Sequence, residues 1–396
     1  MAVWPEPPKP PAQADSAVEL ERYLDQIVRF GRPPGLSLAV VKDGRTVYSR
    51  GVGLADGPRH VAATPITAYH WWSMTKIPTA MAILQLQEQG RLSLDDGVSQ
   101  HLPFFQVKYP PAGSATVTIR QLLNHSSGLS DLGLGLVRFV HREGEPAVNQ
   151  TVFIEKVLPD HATLTFAPGS RASYTNLGYV VLGAVIEQAS GQTYEDYVRE
   201  HILRPLRMER TDFVYTPALC PGEAAGSQPL LDRWTPLLPF VVKHWDAFER
   251  EVDGSHIWFN HLYTDYTPSS ALIGSALDVT HLMLAYLNSG ELDGQRILRP
   301  ETVATMTSAD RMGSAVAAFP DQRQGLGWVV ACGTRECLQH MGGGPGFGTA
   351  MRVYPREKLG IVVLTNDMTT DTDAILRLAA GVQWDHEPAA RAPGPH

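Results

Sequence analysis

The chain holds only three cysteines in 396 residues, Cys220, Cys332 and Cys337, an odd set without metal-ligand spacing. That scarcity excludes a disulfide scaffold and a cysteine-based zinc site as the basis of the fold. Free thiols in a reducing compartment are the first reading, with a Cys332–Cys337 bridge across a hairpin as the alternative. Positive charge is also scarce: 33 Lys and Arg stand against 41 Asp and Glu, and no basic block stands out. A net charge of −8 without such a block argues against nucleic acid or an anionic membrane as partner. Nowhere does an uninterrupted apolar run approach about eighteen residues, so no membrane-spanning helix is expected. The opening MAVWPEPPKPPAQADS has neither the basic start nor the apolar run of a secretory signal, which makes a cytoplasmic protein the expectation.

What is present is a long chain with 43% hydrophobic residues, enough for a large core. Residues 1–15 and the tail 386–396 read as disordered. Between them, 16–385 reads as one catalytic domain, with an α/β lobe from about 16–69 and 276–385 and a mostly helical lobe over about 70–275. A helix is expected near 17–31, followed by a hairpin whose runs meet at Asp43-Gly44. The next helix opens at Ser73, with Ile77, Ala80, Met81 and Leu84 on one stripe and Gly90 as its stop. Further helices read at 118–124, 178–190, 193–203, 278–288 and 372–382, and strands at 325–331, 348–355 and 359–366. Strands at both ends around a helical middle make an α/β (α+β) fold the economical solution, its sheet built from both chain ends.

Three short stretches carry chemistry. In HWWSMTKIPTAM, Ser73 and Lys76 are three apart and share a helix face, so hydroxyl and amine can meet. Burial and the positive end of the helix would lower the amine's pKa, as a base requires. Alone, the pair reads better as a capping serine followed by a solvated lysine. In ASYTNLGYVV, Tyr174 and Asn176 sit just before an apolar helix, where a phenol can move protons and an amide can hold a lysine. The competing Tyr286 and Asn288 fall at a helix end and read as packing and termination. In QHMGGGPGFG, His340 precedes a glycine run that lets backbone approach a ligand and aims an N–H at an oxyanion. As a phosphate loop that run fails, because it leads into a strand with no helix behind it. His125 and His141 have no third ligand at useful spacing, so His125 reads as structural. Gly-x-Ser-x-Gly occurs nowhere, which excludes the α/β-hydrolase elbow.

Taken in order, Ser-x-x-Lys, Tyr-x-Asn and His-x-Gly resemble the three active-site motifs of the serine β-lactamase and penicillin-recognising superfamily. The flanks TIRQLLNHSSGLSDL, FAPGSRASYTNLGYVVLGAVIEQASG and GLGW with HMGGGPGF resemble its class C-like branch, which includes family VIII carboxylesterases and DD-peptidases. The likeness runs from about residue 19 to 367 and fades between 215 and 268. It implies an acyl-serine enzyme of β-lactamase-like fold without metal or organic cofactor. Ser73 would be the nucleophile, with Lys76 and Tyr174 moving its proton. The N–H groups of Ser73 and Gly343, beside Gly342, would form the oxyanion hole, and Asn176 and His340 would orient substrate.

The chain departs from the pattern at His340-Met341-Gly342, where relatives most often carry Lys-Thr-Gly or His-Thr-Gly. Methionine cannot donate a hydrogen bond and histidine is only partly charged near neutrality, so neutral esters are favoured over substrates with an essential carboxylate. The expectation is a serine carboxylesterase acting on small-molecule esters, acyl transfer included. A β-lactamase or D-amino-acid peptidase is the alternative, and a non-catalytic scaffold is the alternative of another class. Of Trp71 and Trp72, at least one is expected to be packing. The aromatic segment 234–266 is expected to be core, with Trp258 and Tyr263 singled out as a candidate acyl or alcohol pocket.

Overall fold

The computed structural model describes residues 6–384 except 111–112, 132–138, 146–147, 221, 233–234, 243–244, 308–322 and 333–334. Residues 1–5 and the 386–396 tail lie outside the described residues. Residues 6–15, read from sequence as disordered, are placed: Ala14 is fully buried, and a Cβ on Gly381 would stand 3.0 Å from its carbonyl oxygen.

The frame is an eight-stranded antiparallel sheet. Its strands are β1 (Gly35–Lys42), β2 (Arg45–Asp56), β3 (Val61–Ala62), β4 (Arg323–Gln324), β5 (Val329–Cys332), β6 (Arg335–Gly344), β7 (Phe347–Tyr354) and β8 (Leu359–Thr365). Their spatial order is β4-β5-β6-β7-β8-β1-β2-β3. The two chain ends meet in the β1–β8 pair, where Leu38 lies opposite Val363. The β1–β2 hairpin turns at Asp43 and Gly44, both at positive φ (48° and 83°), the geometry that an Asp-Gly pair favours.

Period-two alternation sorts the sheet into two faces. Leu36, Leu38, Val40, Ile361 and Val363 pack with Leu20 and Leu24 of α1 (Ala17–Phe30) and with Ile375 and Leu376 of α5 (Thr372–Gly381). Their neighbours Ala39, Val41, Val362 and Leu364 turn the other way, toward Val279 and Met283 of α4 (Ala276–Leu287). Between β3 and α4 the chain builds the helices that carry the site, α2 (Lys76–Glu88) and α3 (Asn176–Ser190). Every residue of α2 from Lys76 to Leu86 is buried. The apolar stripe read from sequence is therefore one side of a helix enclosed all round. α3 is capped at its end by Gly191 at φ 77°, and Gly183 lets it press on the short helix Thr267–Ser270, where a Cβ would meet Pro268 Cγ at 2.1 Å.

Some elements differ from the sequence reading. The helix expected to open at Ser73 begins as a 3-10 turn, Trp72–Thr75, before α2. The helix expected over 193–203 is α-helical from Tyr194 to Val198 and a π turn from Arg199 to Leu203. The strand expected at 325–331 begins only at Val329, as β5; Gly325 and Gly327 lie in the stretch between β4 and β5, and a Cβ on Gly327 would lie 2.6 Å from the Ala80 Cβ. The glycines 342–344 lie within β6 rather than ahead of a strand. Cys337 is disulfide-bonded while Cys220 is free and exposed, which corrects the reading of three free thiols.

Candidate active site

Ser73 sits in the 3-10 turn that feeds α2, and the residues before it are held tightly. Trp71 donates its N–H to Leu272 O (2.7 Å) and accepts at its carbonyl from Thr349 Oγ1 (2.8 Å). Trp72 is in the left-handed region at φ 49°, a conformation costing about 1–2 kcal/mol for a residue with a Cβ. Its burial against neighbours offsets that: the indole lies 4.3 Å from the His70 ring and fills the space a side chain on Gly344 would need. Both tryptophans are buried, so both are packing that aims the serine.

Lys76 opens α2 and is fully buried. Its Nζ contacts three oxygens: Asn176 Oδ1 at 2.7 Å, the Ser269 carbonyl at 2.9 Å and Ser73 Oγ at 3.1 Å. Burial pulls the amine down to about 7, with Asp131 acting in the opposite direction. A neutral amine has two hydrogens and one lone pair. The amide oxygen and the carbonyl can only accept, so they take both hydrogens and leave the lone pair facing Ser73 Oγ. The Tyr174 hydroxyl donates to the same Oγ at 2.8 Å. Burial raises Tyr174, so at neutrality the phenol is a donor and the lysine an acceptor. The two environments move in opposite directions and separate the roles.

The ring of Tyr174 is fixed from two sides, 4.5 Å from His125 and 6.4 Å from His340. His125 Nδ1 accepts the Thr175 N–H at 3.3 Å, and burial holds this imidazole well below its usual range. His340 is buried as well; desolvation, then Lys76, brings it down to about 3. Its Nδ1 lies 2.8 Å from the Met341 carbonyl, an acceptor, so Nδ1 carries the hydrogen. The imidazole is therefore uncharged near neutrality.

β6 brings the third stretch alongside. β5 pairs with it only up to Gln339, and residues 340–344 continue past that register. There a Cβ on Gly342 would stand 2.1 Å from Trp71 O and 3.2 Å from Ser73 N. Glycine is required by the approach itself. A Cβ on the next residue, Gly343, would meet nothing within 4 Å, so its backbone borders open space. Met341 packs with the core on the α1 and α5 face of the sheet.

The structure thus joins Ser73, Lys76, Tyr174 and Asn176 by direct contacts and sets Gly342 against the Ser73 turn, with His340 beyond Tyr174. Trp258 and Tyr263 stand elsewhere. Trp258 is buried with its ring over Gly57, where a Cβ would lie 2.3 Å away. Tyr263 stacks on His141 and borders a cavity of about 300 Å³ whose lining includes none of the four joined residues. Trp234 lies outside the described residues, while Trp245, Phe248, Phe259 and Tyr266 are core and Phe240 is exposed. Sequence reasoning missed two groups that touch the site: the Ser269 carbonyl on Lys76, and Asp131 on Asn176 (2.9 Å to the N–H). A carbonyl has no residue signature, and Asp131 stands 45 positions from its partner. Among the described residues no group of three or more His, Cys, Asp or Glu could hold a metal ion.

A family model, Beta-lactamase, matches residues 20–383. The chain belongs to the beta-lactamase family. Among curated relatives, Protein flp of Staphylococcus aureus (strain MW2) is 28% identical over 358 residues, covering 89% of this chain and 63% of that protein. The chain thus spans less than two thirds of that relative's length. Among solved structures, the octameric penicillin-binding protein homologue from Pyrococcus abyssi superposes with a TM-score of 0.76 at 27% identity, over 93% of this chain and 78% of that one. EstCE1, described as a hydrolase with promiscuous acyltransferase activity, superposes at 0.72 with 22% identity, over 92% and 97%; that likeness concerns the fold. The fold is β-lactamase-like, an antiparallel sheet flanked by helices. No helix among the described residues is long and apolar enough to cross a membrane.

Proposed function

We propose that this beta-lactamase family member is a carboxylesterase that hydrolyses small neutral esters through an acyl-serine. Ser73 Oγ attacks the ester carbonyl carbon while its proton passes to the Lys76 lone pair. The N–H groups of Ser73 and Gly343 receive the developing oxyanion. The C–O bond to the alcohol then breaks, and the departing oxygen takes a proton from Tyr174, which recovers one from Lys76. Water attacks the acyl carbonyl in the second half, gives its proton to the same relay, and Ser73 leaves with a proton restored. An alcohol in place of water makes the second half an acyl transfer.

The observation that carries the ester reading is the chemistry of the third stretch. His340 is uncharged and Met341 packs with the opposite face of the sheet. The stretch therefore offers neither cation nor hydroxyl to a substrate carboxylate. The aromatic-pocket idea finds no support at Trp258, which packs over Gly57, or at Tyr263, which stacks on His141. The cytoplasmic reading loses its cysteine argument with the bond at Cys337. β-Lactam or D-amino-acid amide hydrolysis is the second reading, supported by the family membership itself. The test compares p-nitrophenyl butyrate with a chromogenic cephalosporin on one preparation. A kcat/KM larger for the ester by about a hundredfold or more is expected; the reverse ranking overturns the ester reading.

A further inference from the structure

The stretch between the first two motifs, LNHSSGLSD (123–131), contributes no nucleophile, yet its ends grip the second motif. His125 accepts the N–H of Thr175 and Asp131 accepts the N–H of Asn176, so two successive amides entering α3 are held by two side chains of one segment. Helix starts carry unpaired N–H groups that need such acceptors. A single acceptor suffices for one N–H, but Asp131 does more: its second oxygen lies 3.4 Å from Asn176 Nδ2.

We propose that Asp131 is a positioning residue that sets the Asn176 amide, and through it the Lys76 amine, in the orientation that leaves Ser73 facing a lone pair. An ionised carboxylate can only accept. Facing Asn176, it draws the NH2 end of the amide toward itself and turns the carbonyl end to Lys76, where Oδ1 stands 2.7 Å from Nζ. Were the amide reversed, Nδ2 would point a hydrogen at the lysine and compete for its lone pair. Asp131 also places a negative charge near a lysine whose other neighbours are uncharged at neutrality: the phenols Tyr174 and Tyr179, within 4.9 Å and 5.5 Å of Nζ at their ring centroids, and the imidazoles His125 and His340. The carboxylate favours the protonated amine, so its removal moves the proton equilibrium of Lys76 in a known direction. This inference rests on Lys76 acting as the base for Ser73, and its test does not need the ester.

The test is the rate at which a fluorophosphonate probe labels Ser73, followed against pH for the wild-type protein, Asp131→Asn and Asp131→Ala, with thermal unfolding measured on each. Asp131→Asn keeps an oxygen for the Asn176 N–H but lets either end of its amide face Asn176 Nδ2. Asp131→Ala removes both acceptors. Labelling about tenfold slower or more at its plateau is expected in Asp131→Asn, with the acid limb of the profile displaced to lower pH. Asp131→Ala is expected to show the same displacement and, in addition, a lower unfolding temperature. An acid limb that stays in place in both variants, or an unchanged plateau rate in Asp131→Asn, overturns the proposal. A lower unfolding temperature with an unmoved profile also overturns it, leaving a cap and nothing more. Wild-type labelling without p-nitrophenyl butyrate turnover would count against the ester reading alone and leave the role of Asp131 to the profiles.

Discussion

In the proposed chemistry Lys76 is the decisive residue, because it must be uncharged to take a proton from Ser73 at neutral pH. Burial brings its amine from the ordinary lysine value of 10.5 down to about 7. In that chemistry the active form is the deprotonated amine, so kcat/KM for p-nitrophenyl butyrate is expected to rise as pH increases through about 7. His340 has a normal value close to that limb, but its burial brings it to about 3, so it does not titrate there. His340→Gln is accordingly expected to leave the acid limb at the same pH, whatever it does to the plateau. Loss of the limb in that variant would assign the titration to the imidazole. At this scale the sequence was informative where residue type is decisive. A serine, a lysine, a tyrosine and an asparagine in chain order were legible as a set. The Ser269 carbonyl and the Asp131 carboxylate were not, since a backbone oxygen has no signature and a lone aspartate in a loop has many uses.

Among the elements, the decisive contact is β6 passing the turn before α2. Gly342 makes it possible: any Cβ would strike the Trp71 carbonyl and crowd the Ser73 N–H. Gly342→Ala is expected to push the strand from the serine turn and lower kcat/KM by about a hundredfold. The stability loss should be about 1–3 kcal/mol, in the range of overpacking. Steady-state kinetics with denaturant unfolding would check both, and full activity would remove β6 from the oxyanion site. The glycine run announced close backbone approach in the sequence, but not that the glycines belong to the strand. Period two is unreadable where three successive side chains are missing. Similarly, α2 was legible as a helix from its stripe, while its burial on all sides was not, because its length and Pro78 also suit a surface helix. The stretch between β4 and β5 holds Gly327 pressing on Ala80, a long-range contact that local pattern does not encode.

For the whole molecule, the sheet separates stability from chemistry. The face covered by α1 and α5 holds no member of the serine cluster, and the α2 side holds Lys76 and the Ser73 turn. Leu24 is fully buried on the first face. Leu24→Ala is expected to destabilise by about 2–5 kcal/mol with kcat unchanged at temperatures where the protein is folded. A fall in kcat without loss of stability would contradict that division. The closure of the sheet by both chain ends was legible from the positions of the strand runs, since a hairpin at one end and strands at the other leave few un-knotted alternatives. Under the proposed chemistry Ser73 carries a covalent acyl group during turnover. The direct measurement is p-nitrophenol release from p-nitrophenyl butyrate by wild-type and Ser73→Ala proteins, with acid-quenched samples digested and mapped by mass. The expected result is an acyl group on the Ser73 peptide of the wild type, and neither acyl group nor turnover in the variant. Undiminished turnover in Ser73→Ala, or an acyl group on another residue, would contradict it.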